Sequence, residues 1–414
     1  MLGASRFLIG RDPRESGPRI EAALTRGFLD EGSAVESLGV LPTPAVAYLS
    51  KARGLPAAMI SASHNVFSDN GIKLFAPSGR KLDDALEDRI ELETVSLPAP
   101  PDAREVPPSA VAGHDDYVEH LVASIDGRRL DGLRVVLDCA HGASFAVAPT
   151  AFEALGADVE LLHAEPNGRN INEGCGSMHP EVLRAAVART GADVGLAFDG
   201  DADRLIAVDE RGNVVDGDHF LGITALDLRD RGALASDTLV TTVMANLGLR
   251  RAMDQHGIKV VETKVGDRYV LEAMEAGGFS LGGEQSGHVI FADLATTGDG
   301  VLSGLVLLDV VRRSGRPLSD LAKVVTKLPQ VLENVTVANR EGLDAAERFW
   351  DEVRSVEGEL GENGRVLVRP SGTEPVVRVM VEAPTHEAAR HVAARLATTL
   401  VDALGAPSAG APRR

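Results

Sequence analysis

A serine, a histidine and an asparagine stand together just after a predicted buried strand. The apolar run at residues 57–60 is typical of a strand, and Ser63, His64 and Asn65 follow it before the turn signal at 69–71. In open α/β sheets, ligands bind beyond the carboxyl ends of strands. Ser63 is therefore a candidate covalent carrier of a phosphoryl group, and a hydroxyl that only closes a turn is the alternative.

Three aspartates at alternate positions follow a second apolar run. Asp199, Asp201 and Asp203 come shortly after residues 194–197. Carboxylates this close together repel one another unless a cation lies between them. Oxygen ligands with no cysteine or histidine nearby favour Mg²⁺ over zinc. The pattern predicts a magnesium site, and an acidic, solvated turn is the alternative.

A stretch near the carboxyl terminus combines two arginines with hydroxyls and a flexible backbone. The candidate ligands there are Arg369, Ser371, Gly372, Thr373 and Arg378. Guanidinium forks, hydroxyl groups and backbone N–H groups together suit a phosphate dianion. The pattern predicts a phosphate-binding loop, and a polar hairpin turn is the alternative.

These motifs, in this order, resemble the α-D-phosphohexomutase superfamily. The stretches that carry the resemblance are 62–65, 69–73, 199–204, 283–288 and 369–375. The Glu-Gln-Ser-Gly-His form of the fourth stretch is similar to the phosphoglucosamine mutase branch, as are residues 264–270 and 41–48. The resemblance covers most of the chain.

The resemblance implies an isomerase that interconverts glucosamine 6-phosphate and glucosamine 1-phosphate for UDP-N-acetylglucosamine and cell-wall synthesis. Phosphorylated Ser63 and Mg²⁺, held by Ser63 and the three aspartates, would act through a sugar 1,6-bisphosphate that is both intermediate and activator. Lys73 is the candidate general base, because clustered cations and burial are expected to lower its pKa; a lysine that only neutralises phosphate is the alternative.

Other side chains receive roles from the same resemblance. His64 and Arg204 would support catalysis, and for His64 and His288 an imidazole fixed by hydrogen bonds is the alternative to proton transfer. The expected substrate ligands are Lys264, Gly266, Asp267, Glu284, Ser286 and His288, together with Arg369, Ser371, Gly372, Thr373 and Arg378.

Alternating strand and helix patterns predict an α/β protein with largely parallel, mixed sheets. We expect three similar α/β domains and a smaller α+β carboxy-terminal domain, with the active site at their junction. The predicted domains are 1–106 with the phosphoserine loop, 114–215 with the metal loop, 216–327 with the sugar-specificity loop and 329–404 with the phosphate loop. A proline-rich linker is expected at 98–108 and a disordered tail at 405–414.

Composition limits the possible partners. The 414 residues are 44% hydrophobic and 25% charged, as in ordinary globular proteins, and carry a formal net charge of −19. This charge opposes binding to nucleic acid or to an anionic membrane. Two cysteines give no disulfide framework, and no signal sequence or long apolar run appears, so we expect a cytoplasmic protein.

The first predicted strand begins almost at the start of the sequence. Members of the superfamily carry an earlier Gly-Thr-Asp-Gly-Ile-Arg-Gly-like loop, and its absence here predicts weaker stabilisation of the phosphoserine. A mis-set start is the preferred explanation. The alternatives to the expected activity are a phosphomannomutase/phosphoglucomutase and a phosphosugar-binding protein without turnover. A serine hydrolase is disfavoured, because no Gly-x-Ser-x-Gly elbow surrounds Ser63. The resemblance also implies a homodimer.

Overall fold

The computed structural model describes residues 4–96, 109–371 and 376–406. The expected proline-rich linker, Gly372, Thr373 and residues 407–414 of the predicted tail lie outside this part of the chain. The chain divides into two compact units: residues 1–245 with 253–324, and residues 246–252 with 325–414. No helix among the described residues is both long enough and apolar enough to cross a membrane.

The first sheet carries the serine motif. Its elements are β1 (Arg6–Arg11), α1 (Gly17–Asp30), β2 (Ala34–Val40), α2 (Thr43–Arg53), β3 (Ala57–Ile60), β4 (Ile72–Phe75), α3 (Asp84–Ser96) and β5 (Ser109–Ala110). The strand order is β4-β3-β1-β2-β5, with β4 antiparallel to β3 and the other pairs parallel. Every residue of β3 is buried, as the apolar run predicts for an inner strand.

The second sheet carries the aspartate motif. Its elements are α4 (His114–Ala123), β6 (Arg134–Asp138), α5 (Val147–Ala154), β7 (Asp158–Leu162), α6 (Pro180–Thr190), β8 (Val194–Phe198), β9 (Leu205–Asp209) and β10 (Val214–Val215). The order is β10-β9-β8-β6-β7. Strands β6, β7 and β8 run parallel, and β9 pairs antiparallel with β8 and with β10.

The third sheet carries the Glu-Gln-Ser-Gly-His motif. Its strands are β11 (Thr238–Thr242), β12 (Lys259–Thr263), β13 (Leu281–Gly283) and β14 (Val289–Phe291), in the order β12-β11-β13-β14. Only the β13–β14 pair of this sheet is antiparallel. The helices of this region are α7 (Gly217–Asp230), α8 (Leu247–Gln255), α9 (Asp267–Gly277), α10 (Gly300–Ser314) and α11 (Leu318–Leu321).

The second unit contains a smaller antiparallel sheet. Its elements are β15 (Gln330–Thr336), α12 (Glu347–Leu360), β16 (Arg365–Pro370), β17 (Val376–Glu382) and α13 (His386–Leu404). The order is β15-β17-β16. Alternate residues of β17 (Val377, Val379 and Val381) are buried in one cluster with Phe349 and Leu396 from the two helices. The fold class predicted from the sequence is confirmed by these sheets.

One strand order recurs in the first three sheets. It reads β4-β3-β1-β2, β9-β8-β6-β7 and β14-β13-β11-β12, which is the predicted triplication. In each case the loop that carries a motif joins the third strand to its antiparallel neighbour. These loops comprise residues 61–71, 199–204 and 284–288. Each loop is therefore fixed at both ends by hydrogen-bonded strands.

Asp299, just before α10, contacts Tyr117 of α4. Its environment predicts how the stability of the folded chain changes with pH. Its carboxylate accepts hydrogen bonds from Tyr117 Oη at 2.6 Å and from Leu302 N at 2.9 Å, at the start of α10. Burial raises the pKa of Asp299 to about 6. Because the folded state then binds the proton more tightly than the unfolded state, stability falls as pH rises between the ordinary aspartate pKa and about 6.

Asp299→Asn is therefore expected to gain thermal stability relative to the unmodified chain as the pH rises from about 4 to about 7. The relative gain is about 2 to 3 kcal/mol, since one pKa unit corresponds to about 1.4 kcal/mol. Tyr117→Phe removes a hydrogen bond to the carboxylate and should show the opposite trend. Melting curves of the three chains at both pH values measure this. Parallel shifts at both pH values would contradict the expectation.

Candidate active site

The hydroxyl of Ser63 points at the aspartate motif. Ser63 Oγ donates a hydrogen bond to Asp199 Oδ2 at 2.5 Å, and it lies 3.4 Å from His64 Nδ1. The backbone of Ser63 has a left-handed conformation, with φ of 50°, and its N–H donates to Ser61 Oγ at 3.0 Å. A non-glycine residue held in this conformation needs support from its surroundings.

A buried arginine supplies much of that support. Arg14 is 0% exposed, and its Nε donates to Asp12 Oδ2 at 2.8 Å. Its two terminal nitrogens donate to the backbone carbonyls of Ser63, Asn65, Val66 and Asp69. Asp12 also accepts a hydrogen bond from Ser61 Oγ at 2.6 Å. The planar guanidinium thus holds several points of one loop at once, which a lysine cannot do.

An asparagine from the second sheet's region holds the same loop. Asn172 Nδ2 donates to the carbonyl oxygen of Ser63 at 2.9 Å and to that of Asn65 at 3.0 Å. The serine loop is therefore fixed both by its own sheet, through Arg14, and by the neighbouring one.

The three aspartates fit a divalent cation. Asp199 and Asp201 are 0% exposed and Asp203 is 4% exposed, and one carboxylate oxygen of each lies within 4.8 Å of the others. Burial, followed by the charges of Asp203 and Asp201, raises the pKa of Asp199 well above its ordinary range. Asp201 Oδ1 and Asp203 Oδ1 are buried without a hydrogen-bond partner. Unpartnered buried oxygens are costly, and a hard cation such as Mg²⁺ satisfies them.

Lys73 lies against the same carboxylates. Its Nζ is 2.6 Å from Asp201 Oδ2 and 3.4 Å from Asp203 Oδ2. Burial disfavours the charged amine, but the charges of Asp201 and Asp203 outweigh burial and raise the pKa of Lys73. The expected lowering of this pKa is wrong for this structure, because the charged neighbours closest to the amine are carboxylates rather than cations. Thr43 Oγ1 also donates to Asp201 Oδ2, at 2.5 Å.

His64 lies beside Ser63, and Arg204 lies beside His64. Arg204 Nη1 lies 3.2 Å from His64 Nδ1, and Arg204 N donates to Asp199 Oδ1 at 3.2 Å. Burial, followed by the charge of Arg204, lowers the pKa of His64. The imidazole is therefore neutral near pH 7, with one ring nitrogen facing a guanidinium.

The loop at residues 284–288 contacts the metal loop at residues 199–204. His288 is buried, its Nε2 accepts a hydrogen bond from Gly298 N at 2.9 Å, and its Nδ1 lies 3.7 Å from Asp203. Leu205 N donates to Gly287 O at 3.0 Å, and a Cβ on Gly287 would lie 2.0 Å from the carbonyl oxygen of Leu205. Only glycine fits this approach.

The remaining predicted sugar ligands lie around that loop. Glu284 Oε1 accepts a hydrogen bond from Gly266 N at 3.1 Å, whereas Lys264 and Ser286 are exposed. Asp267 forms an ion pair with Lys81. Burial opposes its negative charge, but His288 and Lys81 outweigh burial and lower the pKa of Asp267 to about 2.

The predicted phosphate ligands belong to the second unit. Arg369 on β16 and Arg378 on β17 are register partners in the sheet, so their side chains leave the same face. Ser371 N donates to Val376 O at 2.9 Å, and Arg340 Nη1 donates to Ser371 O at 2.5 Å. The other two predicted phosphate ligands, Gly372 and Thr373, lie outside the described residues.

Four models of one protein family match successive parts of this chain. Sequence models of phosphoglucomutase/phosphomannomutase α/β/α domains I, II and III match residues 2–97, 115–212 and 216–328. The model of the carboxy-terminal domain of the same family matches residues 332–399. The chain belongs to the phosphoglucomutase/phosphomannomutase family.

Relatives within this family are similar over most of their length. The phosphoglucosamine mutase of Rhodococcus opacus (strain B4) is 54% identical over 409 residues, covering 96% of this chain and 90% of the relative. A solved phosphoglucomutase/phosphomannomutase family protein from Burkholderia thailandensis has a TM-score of 0.79 at 24% identity, over 99% of this chain and 91% of that one.

A further solved relative is the Aspergillus fumigatus N-acetylphosphoglucosamine mutase, in complex with GlcNAc-6P and magnesium. It has a TM-score of 0.68 at 19% identity and covers 94% of this chain and 99% of that one. At such identities the two solved structures support the fold alone. Membership of a phosphohexomutase family makes this chain an isomerase.

Several residues of this phosphohexomutase site were not predicted from the sequence. They are Asp12, Arg14, Thr43, Ser61 and Asn172. One signal was present: Asp12 and Arg14 directly follow the first strand, which is the position at which α/β folds place functional groups.

Proposed function

We propose that this chain is a phosphoglucosamine mutase that interconverts glucosamine 6-phosphate and glucosamine 1-phosphate through a phosphoserine, and that it feeds UDP-N-acetylglucosamine and cell-wall synthesis. The observation that carries the proposal is the hydrogen bond of 2.5 Å between Ser63 Oγ and Asp199 Oδ2, beside buried carboxylate oxygens that have no partner. The identity of 54% to a curated phosphoglucosamine mutase supports the choice of sugar.

The proposed reaction moves one phosphoryl group at a time. The P–O bond to Ser63 Oγ breaks while a bond to a sugar hydroxyl forms, and the resulting sugar 1,6-bisphosphate returns its other phosphoryl group to Ser63. Asp199, Asp201, Asp203 and Ser63 would hold Mg²⁺, which when bound neutralises charge on the transferred group. Arg14 holds the serine loop in position, since its guanidinium donates to the carbonyl of Ser63 at 2.9 Å.

A base must take the proton of the attacking sugar hydroxyl. Lys73 is our candidate, supported by its place 2.6 Å from Asp201 Oδ2 at the reacting centre. Its raised pKa means that it carries a proton in this state, so a role as base requires that the lysine leave its carboxylate partners. His64 and Arg204 complete the proposed catalytic set, and the contact of 3.2 Å between them orients both toward the serine.

Substrate contacts and domain limits are proposals of the same kind. Sugar recognition is assigned to Lys264, Gly266, Asp267, Glu284, Ser286 and His288, and phosphate binding to Arg369, Ser371, Gly372, Thr373 and Arg378. The proposed domains are 1–106, 114–215, 216–327 and 329–404. A cytoplasmic location is supported by two buried free cysteines, Cys139 and Cys175. A homodimer is proposed from the family.

Relative turnover of three sugar phosphates tests this function. The purified chain with Mg²⁺ and a trace of sugar bisphosphate is expected to convert glucosamine 6-phosphate with a kcat/KM at least about 10-fold above that for glucose or mannose 6-phosphate, because one discriminating polar contact is worth about 1.4 kcal/mol or more. Equal or faster turnover of glucose or mannose phosphate would identify a phosphomannomutase/phosphoglucomutase. Binding of sugar phosphate without turnover would identify a non-enzyme.

A further inference from the structure

A second group of metal-ligand side chains lies at the carboxyl end of the second sheet. Asp138 is the last residue of β6, His163 directly follows β7, and Cys175 precedes α6. Because β6 and β7 are neighbouring parallel strands, their carboxyl ends meet at one edge. One donor atom from each of the three side chains lies within 4.8 Å of the others.

Two of the three side chains are buried, and the carboxylate is oriented by hydrogen bonds. Asp138 and Cys175 are 0% exposed, and the side chain of His163 is 25% exposed. The two carboxylate oxygens of Asp138 accept backbone N–H groups, from Ala140 at 3.0 Å and from Gly176 at 3.1 Å. Such outer contacts are those that orient metal ligands in proteins.

The histidine lies directly against this carboxylate. His163 Nδ1 lies 3.0 Å from Asp138 Oδ1, the distance of an ion pair when the imidazole is protonated. His163 also has a left-handed backbone, with φ of 49°, as do Ala140 and His141 at 54° and 46°. Several non-glycine residues in this conformation at one edge store strain, which clusters at functional sites.

We propose that Asp138, His163 and Cys175 bind a zinc-class divalent cation, with the fourth position open to solvent beside the exposed edge of His163. A thiolate, an imidazole and a carboxylate form a softer donor set than three aspartates, and Zn²⁺ accepts this mixture in tetrahedral geometry. The site is separate from the Asp199, Asp201 and Asp203 set, which offers oxygen alone and suits Mg²⁺.

The cation would brace the serine loop from the second sheet. Asn172, three residues before Cys175, donates from its backbone to Ala140 O at 2.9 Å and from its side chain to Ser63 O at 2.9 Å. Ala143 N donates to Gly200 O at 2.8 Å, inside the metal loop. A cation bound by both Asp138 and Cys175 would link the two ends of the segment that carries Asn172. The motion of Asn172, and of the serine loop to which it donates, would then be reduced.

The test titrates the full chain with Zn²⁺, and in parallel with Co²⁺ as a spectroscopic probe, in excess Mg²⁺. Cys175→Ser and His163→Gln remove one ligand each, and Cys139→Ser is the matched control for a buried thiol outside the set. Asp201→Asn removes an oxygen from the other site. Hydrogen exchange of residues 61–71 is measured with and without Zn²⁺.

The expected result is about one zinc bound per chain, a thiolate-to-cobalt absorption band, and slower exchange of the serine loop. Affinity should fall at least about 100-fold in Cys175→Ser and in His163→Gln, whereas Cys139→Ser and Asp201→Asn should bind as the unmodified chain does. The absence of zinc binding, a cobalt spectrum without the thiolate band, or loss of binding in Asp201→Asn would overturn the proposal. These readouts do not depend on mutase activity, so they can fail while the proposed function stands.

Discussion

Ser63→Ala is expected to lower the rate of sugar phosphate isomerisation by at least about 10⁴-fold, the scale of loss when a nucleophile is removed. The Oγ of Ser63 is the oxygen that bonds Asp199 Oδ2 at 2.5 Å, and its position is held by Arg14 and Asn172 from two directions. A water molecule in place of the hydroxyl cannot carry a phosphoryl group from one turnover to the next. The loss should therefore appear in kcat rather than in sugar phosphate binding.

The measurement is ³¹P NMR of the two glucosamine phosphates, with mass spectrometry of the peptide that contains Ser63. Ser68→Ala is the matched control, because Ser68 is an exposed serine of the same loop. The control should stay within about 2-fold of the unmodified chain, as expected for a surface change away from the reacting atoms. Activity above about 0.01% in Ser63→Ala would show that another group carries the phosphate.

Arg14→Lys is expected to lower kcat by about 100-fold, the cost of a displacement of about 1 Å at a reacting group. Lysine keeps the positive charge beside Asp12 but loses the fork that donates to the carbonyls of Ser63 and Asn65, each at 2.9 Å. Asn172 still donates to the carbonyls of Ser63 and Asn65, but each hydrogen bond lost from Arg14 costs about 0.5 to 1.5 kcal/mol. The serine loop should therefore relax while the aspartates stay in place.

This effect is measured as kcat and as hydrogen exchange of residues 61–71. Arg26→Lys is the matched control, since Arg26 pairs with Asp30 at 2.7 Å on the exposed surface of α1. Exposed pairs contribute less than about 1 kcal/mol, so kcat and exchange in the control should be unchanged. An unchanged kcat in Arg14→Lys would mean that Asn172 and the strand ends alone hold the loop.

The places of Ser63 and Asp199 in loops after buried strands were predictable from the sequence. Ser63 and Asp199 each follow an apolar run of strand length, and parallel strands bring their carboxyl ends to one side of a sheet. The contact between these two side chains spans 136 positions and joins loops of two different sheets, so strand ends alone predict the two loops but not their contact. Three similar α/β units were likewise expected from the strand and helix patterns together with the family resemblance, but their common strand order was seen only in the structure.

The residues that contact each site side chain in the folded chain could not be predicted from the sequence. The pKa of Lys73 was expected to fall among cations, but its amine contacts Asp201, 128 positions away, and the pKa rises. Arg14 illustrates the same limit, because a buried arginine and an exposed one have the same letter in a sequence. Only the folded chain shows that its guanidinium reaches carbonyls 49 to 55 positions away.

The close approach of Gly287 to Leu205 has a consequence for the turning of the intermediate. A hydrogen bond of 3.0 Å joins the two backbones, and there is no space for even a methyl group between them. The sugar loop and the metal loop are therefore held together at this point. A bisphosphate that presents first one end and then the other to Ser63 cannot rely on these loops parting around it.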